Sequence, residues 1–163
     1  MNEDKIIENQ KNEIKDLLAS RWSRFWASLV DGLIMALITI PVMYFTGGFE
    51  TIDDKLVEQS FLYTTLIASL GLIIFILVNY RLLINNGQTI GKKLLKIKIV
   101  NLDNNLPTKD ILLTRYLVYF IPSYIPVIGS WLSIINILTI FGKEKRCIHD
   151  YVAKTRVINL EQI

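Results

Sequence analysis

Residues 61–80 read FLYTTLIASLGLIIFILVNY, twenty positions without a single charge. At about 1.5 Å per residue, such a run crosses ~30 Å of hydrocarbon as one helix. Toward the N-terminus, residues 25–45, FWASLVDGLIMALITIPVMYF, repeat the pattern with Asp31 as their only charge. Toward the C-terminus a third uncharged run extends from Tyr116 to Gly142, interrupted by Pro122, Pro126 and Gly129. Proline removes a backbone donor and bends a helix, so this run is a broken segment and not a plain span. The whole chain of 163 residues is 52% hydrophobic, a balance that soluble domains of this size rarely tolerate. The expectation is an all-α membrane protein. It has two full transmembrane helices, about 25–45 and 61–82, and a Pro/Gly-broken third membrane segment, about 114–142. The opening MNEDKIIENQ lacks the basic and apolar regions of a secretory signal and is expected to be retained.

The charges sort by segment. Of 18 Lys and Arg, five lie up to Arg24, one follows the first span, seven run from Arg81 to Arg115, and five come after Gly142. The positive-inside rule places the N-terminus and the middle loop in the cytoplasm, with the acidic 46–60 loop outside. A kinked third span would carry Lys143, Lys145, Arg146, Lys154 and Arg156 outside, whereas a re-entrant hairpin would return them. The returning arrangement is preferred, because Lys96-Ile97-Lys98-Ile99 and Lys154-Thr155-Arg156-Val157 both alternate with the period of a strand. A small cytoplasmic β pairing between them requires that both lie on one side. Residues 1–20 carry Ile7, Ile14 and Leu18 at helical spacing among mixed charges, which suggests a cytoplasmic amphipathic helix ahead of a membrane domain over 21–160. No internal repeat or low-complexity linker is visible.

Asp31 lies about two turns inside the first span, where an ionised carboxylate costs roughly 2.5–3.5 kcal/mol unless paired, hydrated or protonated. Arg24, seven residues earlier, shares its stripe about 10 Å away along the axis, so another group should bridge the two. Asp150, in Lys145-Arg146-Cys147-Ile148-His149-Asp150, is a candidate partner for Arg24. Ser28, Gly32 and Ala36 form a small-residue strip suited to helix packing. With one cysteine, Cys147, and one histidine, His149, neither a disulfide nor a Cys/His metal cage is expected, and no cofactor. His149 reads as a hydrogen-bonded interfacial residue more readily than as a proton shuttle. Gly87 to Lys93 departs from a phosphate loop by one residue of spacing and by the missing Ser or Thr after the lysine. Its glycines read instead as a turn, with Gln88 and Thr89 capping backbone groups. No nucleophile and base stand at useful spacing, so an enzyme is not expected. Lys92, Lys93, Lys96 and Lys98 form a basic patch suited to anionic lipid headgroups, and nucleic acid is not an expected partner because no aromatic platform adjoins them.

Several of these residues stand in a familiar order. Arg24 with Asp31 seven residues on, Asn86-Gly87-Gln88-Thr89-Ile90-Gly91-Lys92 after the second span, Arg115 before the third, and His149-Asp150 followed by Thr155 together resemble the RDD family, named for one arginine and two aspartates. The resemblance covers roughly residues 18–160. It implies that Arg24, Asp31 and Asp150 are the name-giving residues, that Gln88, Gly91 and Lys92 form the cytoplasmic-loop motif, and that Arg115 and His149 support them. It also implies a multi-pass protein of a bacterial cell membrane. Some similar proteins are linked to sodium/proton exchange, and others act as components of larger membrane complexes. Two readings follow. One is a small transporter exchanging a monovalent cation for protons at Asp31, assembled as a homo-oligomer. The other is a non-transporting scaffold or interaction subunit for a membrane partner protein, with a structural polar triad.

Overall fold

The computed structural model describes residues 17–50, 60–125, 131–132, 135–136, 138–142 and 146–162. The amphipathic helix expected over 1–20 falls outside them up to residue 16. Two long helices dominate. α1 (Arg21–Phe45) begins at Ser20, whose hydroxyl accepts the Ser23 N–H at 2.9 Å, the usual way to satisfy an orphan donor at a helix start. α2 (Phe61–Asn86) begins alike at Ser60 and stops at Gly87, whose φ of 66° lies in the left-handed region where glycine carries no steric penalty. Their 25 and 26 residues make them about 38 Å long, enough to span a bilayer core. Both keep large apolar side chains outward: Leu37 is 76% exposed, Phe45 84% and Leu77 77%. Apolar surface on this scale calls for lipid or a partner.

A compact cap is built on the end of the pair marked by Arg21 and Asn86. α3 (Ile90–Leu94) leads into β1 (Ile97–Asn101), and α5 (Ile148–Val152) leads into β2 (Thr155–Asn159). The strands pair antiparallel with Ile99 opposite Val157. They start one residue later than the alternation suggests, because Lys96 and Lys154 both adopt φ 51° and turn the chain out of the preceding helix. Both edges of this two-stranded sheet are occupied. Gly87 and Gln88 bond to Ile99 and Ile97 of β1, and the Ala19 N–H donates to the Val157 carbonyl of β2. The core lies beneath it, where Ile97, Ile99 and Val157 meet Ala19, Ala27, Phe75, Leu83 and Leu112.

The cap contains a repeat that the sequence reading did not find. Residues 90–101 and 148–159 are each a five-residue helix, one capping residue, a lysine at φ 51°, and a five-residue strand ending in asparagine. Asn101 then accepts the Asp103 N–H and Asn159 the Glu161 N–H, the same local turn in each. The register places Ile97 opposite Asn159 and Asn101 opposite Thr155, so a pseudo-two-fold axis passes through the Ile99·Val157 pair. Only Ile90/Ile148, Lys96/Lys154 and Asn101/Asn159 are identical, too few to stand out in the sequence.

The third segment departs from a plain span. α4 (Lys109–Phe120) has 12 residues, about 18 Å, and runs into a 3-10 turn at Ile121–Tyr124. There the Tyr124 hydroxyl lies 3.4 Å from that of Ser69, in the middle third of α2. By Phe141 and Gly142 the chain is back at the start of α1, where Arg21 donates to both carbonyls at 3.3 and 3.2 Å. The chain thus leaves the cap along α4 and is beside it again at Phe141 and Gly142.

Candidate functional site

The two aspartates of the expected polar triad have separate partners. Asp150 sits in the first turn of α5, entirely buried. One carboxylate oxygen accepts the Cys147 N–H at 3.0 Å and the Arg24 guanidinium, and the other accepts the Arg115 guanidinium. Arg115 also donates to the Thr155 hydroxyl at 2.5 Å. Arg24 is 6% exposed and Arg115 2%, so two cations and one anion share a dry site. Burial alone would raise the carboxyl, but Arg115 and Arg24 outweigh it and hold Asp150 well below the usual carboxylate range. Arg146 straps α5 from outside, donating to the carbonyls of Thr155 and Asp150, each at 3.1 Å. Its guanidinium stacks 4.3 Å from the Tyr151 ring centroid.

His149 faces Asn136, with Nδ1 3.1 Å from the amide oxygen, and meets the Tyr119 ring edge-on. Burial, reinforced by Arg115, pushes its pKa far below the ordinary value. It is therefore a neutral packing and hydrogen-bonding residue at any physiological pH. Cys147, His149 and Asp150 do bring ligand atoms within 4.8 Å of one another. Two guanidiniums already hold the Asp150 oxygens, so this cluster does not suit a metal cation.

Asp31 is held by the loop after α2. Its oxygens accept the Thr89 hydroxyl at 2.5 Å and the Gly91 N–H at 2.8 Å, with the Lys92 ammonium 3.9 Å away. Thr89 also caps α3, accepting the Lys92 N–H at 3.3 Å. Gly91 has no substitute here, because a Cβ would collide with the Ala27 carbonyl oxygen. Gln88 reaches past the turn to the Ile97 carbonyl at 2.9 Å. Asn79, which sequence reasoning passed over, anchors the same loop by accepting the Ile90 N–H at 2.9 Å while donating to the Phe75 carbonyl at 3.1 Å. Its signal was a lone amide in an otherwise apolar helical run. Together these contacts fasten α3 to α1.

Between the two nodes lies a cavity of about 330 Å³. Arg24, Lys92, Arg115 and Asp31 line it, with Phe25, Leu29, Met35, Phe75 and Phe120 as apolar wall. Ser28 and Gly32 of the small-residue strip also face it, and nothing lies within 4 Å of a Cβ built on Gly32. A close helix approach falls at Ala27 instead, 0% exposed against Gly91. The expected basic patch is divided: Lys92 turns inward, Lys93 remains exposed, and Lys96 pairs with Glu161 at 2.8 Å. Burial pushes the Lys92 ammonium down to about 8, with Asp31 opposing and Arg115 and Arg24 adding to the shift.

The model of the RDD family matches residues 18–154. The uncharacterized protein YxaI of Bacillus subtilis (strain 168) is 30% identical over 152 residues, covering 86% of this chain and 96% of that protein. The uncharacterized membrane protein YteJ of the same organism is 30% identical over 173 residues, covering 93% of each. No solved structure matches the chain.

Proposed function

This chain belongs to the RDD family of membrane proteins, and we propose that within it the chain works as a non-transporting interaction protein. Its spans would present the cap, with the N-terminus, to the cytoplasm, and residues 121–142 would form a re-entrant segment. The observation that carries this reading is that both carboxylates are committed to holding the fold together. Asp150 is saturated by two arginines and a backbone N–H, and Asp31 by a hydroxyl, a backbone N–H and a lysine. A cation site needs carboxylate oxygens that an ion can reach. The charges lining the cavity are three cations to one carboxylate, a field that repels a monovalent cation. The cap, whose sheet edges are already occupied, would be the surface that receives a membrane partner protein.

One observation favours the exchanger reading, namely the Asp31–Lys92 pair beside an open cavity, with a lysine able to release its proton near pH 8. Proteoliposomes separate the two. The native chain should give no proton flux on addition of sodium or potassium, and Asp31→Asn should lose stability in detergent while changing no flux. Cation-driven proton flux that disappears in a well-folded Asp31→Asn variant would establish the exchanger.

A further inference from the structure

We infer that the cavity between α1, α3, α4 and α5 holds the ionised head and first chain carbons of an anionic membrane lipid. The first ground is its shape. Along α1 the lining runs from Arg24 to Met35, about 16 Å at 1.5 Å per residue. Arg24, Lys92 and Arg115 stand toward the cap, and Met35, Phe75 and Phe120 stand deeper. A volume near 330 Å³ falls within the ~300–1,000 Å³ of small-ligand sites. An amphiphile matches both ends of such a space, whereas a free inorganic ion would leave the apolar end empty.

The second ground is charge. Arg24, Arg115 and Lys92 face Asp31 and, behind the arginines, Asp150. Among the described residues the cavity wall carries three cationic side chains, Arg24, Lys92 and Arg115, to one carboxylate, Asp31, a lining whose field complements an anionic group. Lys92 is 13% exposed, so its ammonium is sheltered yet borders the open space. The groups around it are Asp31 and Arg24 from α1, Arg115 from α4, and His149 and Asp150 from α5. Burial is the main cause of the downward displacement of its pKa, with Arg115 and Arg24 adding to it and Asp31 opposing.

The third ground is access. Phe25 and Leu29 on the cavity wall are 47% and 40% exposed on a helix whose outer face is apolar, which gives an acyl chain a continuous path to the bilayer. The space next to Gly32 is also unfilled.

The test uses the full chain in a mild neutral detergent. It is titrated with phosphatidylglycerol, with phosphatidylcholine of the same chains, and with inorganic phosphate, and bound molecules are counted by native mass spectrometry. The native protein should retain about one phosphatidylglycerol and no phosphatidylcholine. Lys92→Gln should weaken retention about tenfold, the loss of one charge-assisted hydrogen bond, and Lys92→Arg should restore it. Lys93→Gln, which removes the same charge from the exposed neighbouring position, should bind as the native chain does. Gly32→Leu leaves every charge in place and fills the cavity, so it should abolish retention, and this decides the matter even if Lys92→Gln fails to fold. Equal binding of phosphatidylcholine, equal losses at Lys92 and Lys93, or native-like retention by Gly32→Leu would overturn the site. Displacement of the lipid by millimolar phosphate alone would assign the cavity to a free anion instead.

Discussion

Asp150→Asn is the sharpest probe of the arginine–aspartate node. The substitution preserves size and one acceptor oxygen but removes the charge, so that one of the two guanidiniums now faces an NH₂ group. Asp150 is 0% exposed and its partners Arg24 and Arg115 are 6% and 2% exposed, so water cannot take over. Breaking a buried pair by removing one partner costs about 3–5 kcal/mol, and here a single residue serves two partners. Against a total stability of about 5–15 kcal/mol, this should be measurable as an early unfolding transition when the purified chain is titrated with SDS in mixed micelles. Arg24→Gln combined with Asp150→Asn should cost less than the sum of the single changes, by roughly 0.5–3 kcal/mol. The acid response has a defined sign. The carboxyl is displaced downward in the folded state, so its contribution is fully present above the unfolded value of about 3.9 and is lost only as the pH falls below it. Stability from this node should therefore be flat from pH 5 to 8. A loss below about 1 kcal/mol in Asp150→Asn, the range of an exposed salt bridge, would refute the claim that the node is dry and essential.

Other outcomes follow from neighbouring contacts. Gly91→Ala places a methyl against the Ala27 carbonyl and should destabilise by at least the ~1–3 kcal/mol of overpacking, measured by the same titration. Thr89→Val removes both the α3 cap and a hydrogen bond to Asp31; it should cost about 1–3 kcal/mol, and Thr89→Ser should restore most of it. Lys92 is pushed down from 10.5 to about 8 in the folded state, so the unfolded chain binds more protons between those values. Stability should accordingly rise with pH from about 8 to 10.5, by up to roughly 3 kcal/mol, and Lys92→Met should abolish that slope.

The helical spans could be read from the sequence because a bilayer imposes length and polarity at once, and residues 61–80 satisfy both without exception. The strand pair was visible through the alternation around Ile97 and Thr155, although its first residues were not, since a left-handed lysine leaves no trace in a hydropathy pattern. The Arg24–Asp150 partnership was also legible, because a charge beside an apolar run demands an opposite one. Asp31 was harder. Its partners are a hydroxyl and a backbone N–H, which the residue letters do not announce, and Arg24 on the same stripe drew attention away from them. Lys92 and Lys93 look alike in a basic run, yet the helical phase of α3 sends one inward and the other outward. Ser28, Gly32 and Ala36 have the spacing of a packing strip, but the close approach falls one position away, at Ala27, where α3 crosses.

The pairing of β1 with β2 also bears on how the chain is assembled in the membrane. The two strands are separated by everything from α4 to α5, so the ladder closes only after a long loop has been ordered, a slow and late event in folding. It also closes only if the chain has come back to the side from which it left. A molecule whose third segment threaded through to the far side would hold β2 across the bilayer from β1. It would be left with two unpaired strand edges and an Asp150 that never meets its arginines. The small sheet thus ties the C-terminal segment to the side of the molecule where β1 lies, and with it the meeting of Asp150 with Arg24 and Arg115.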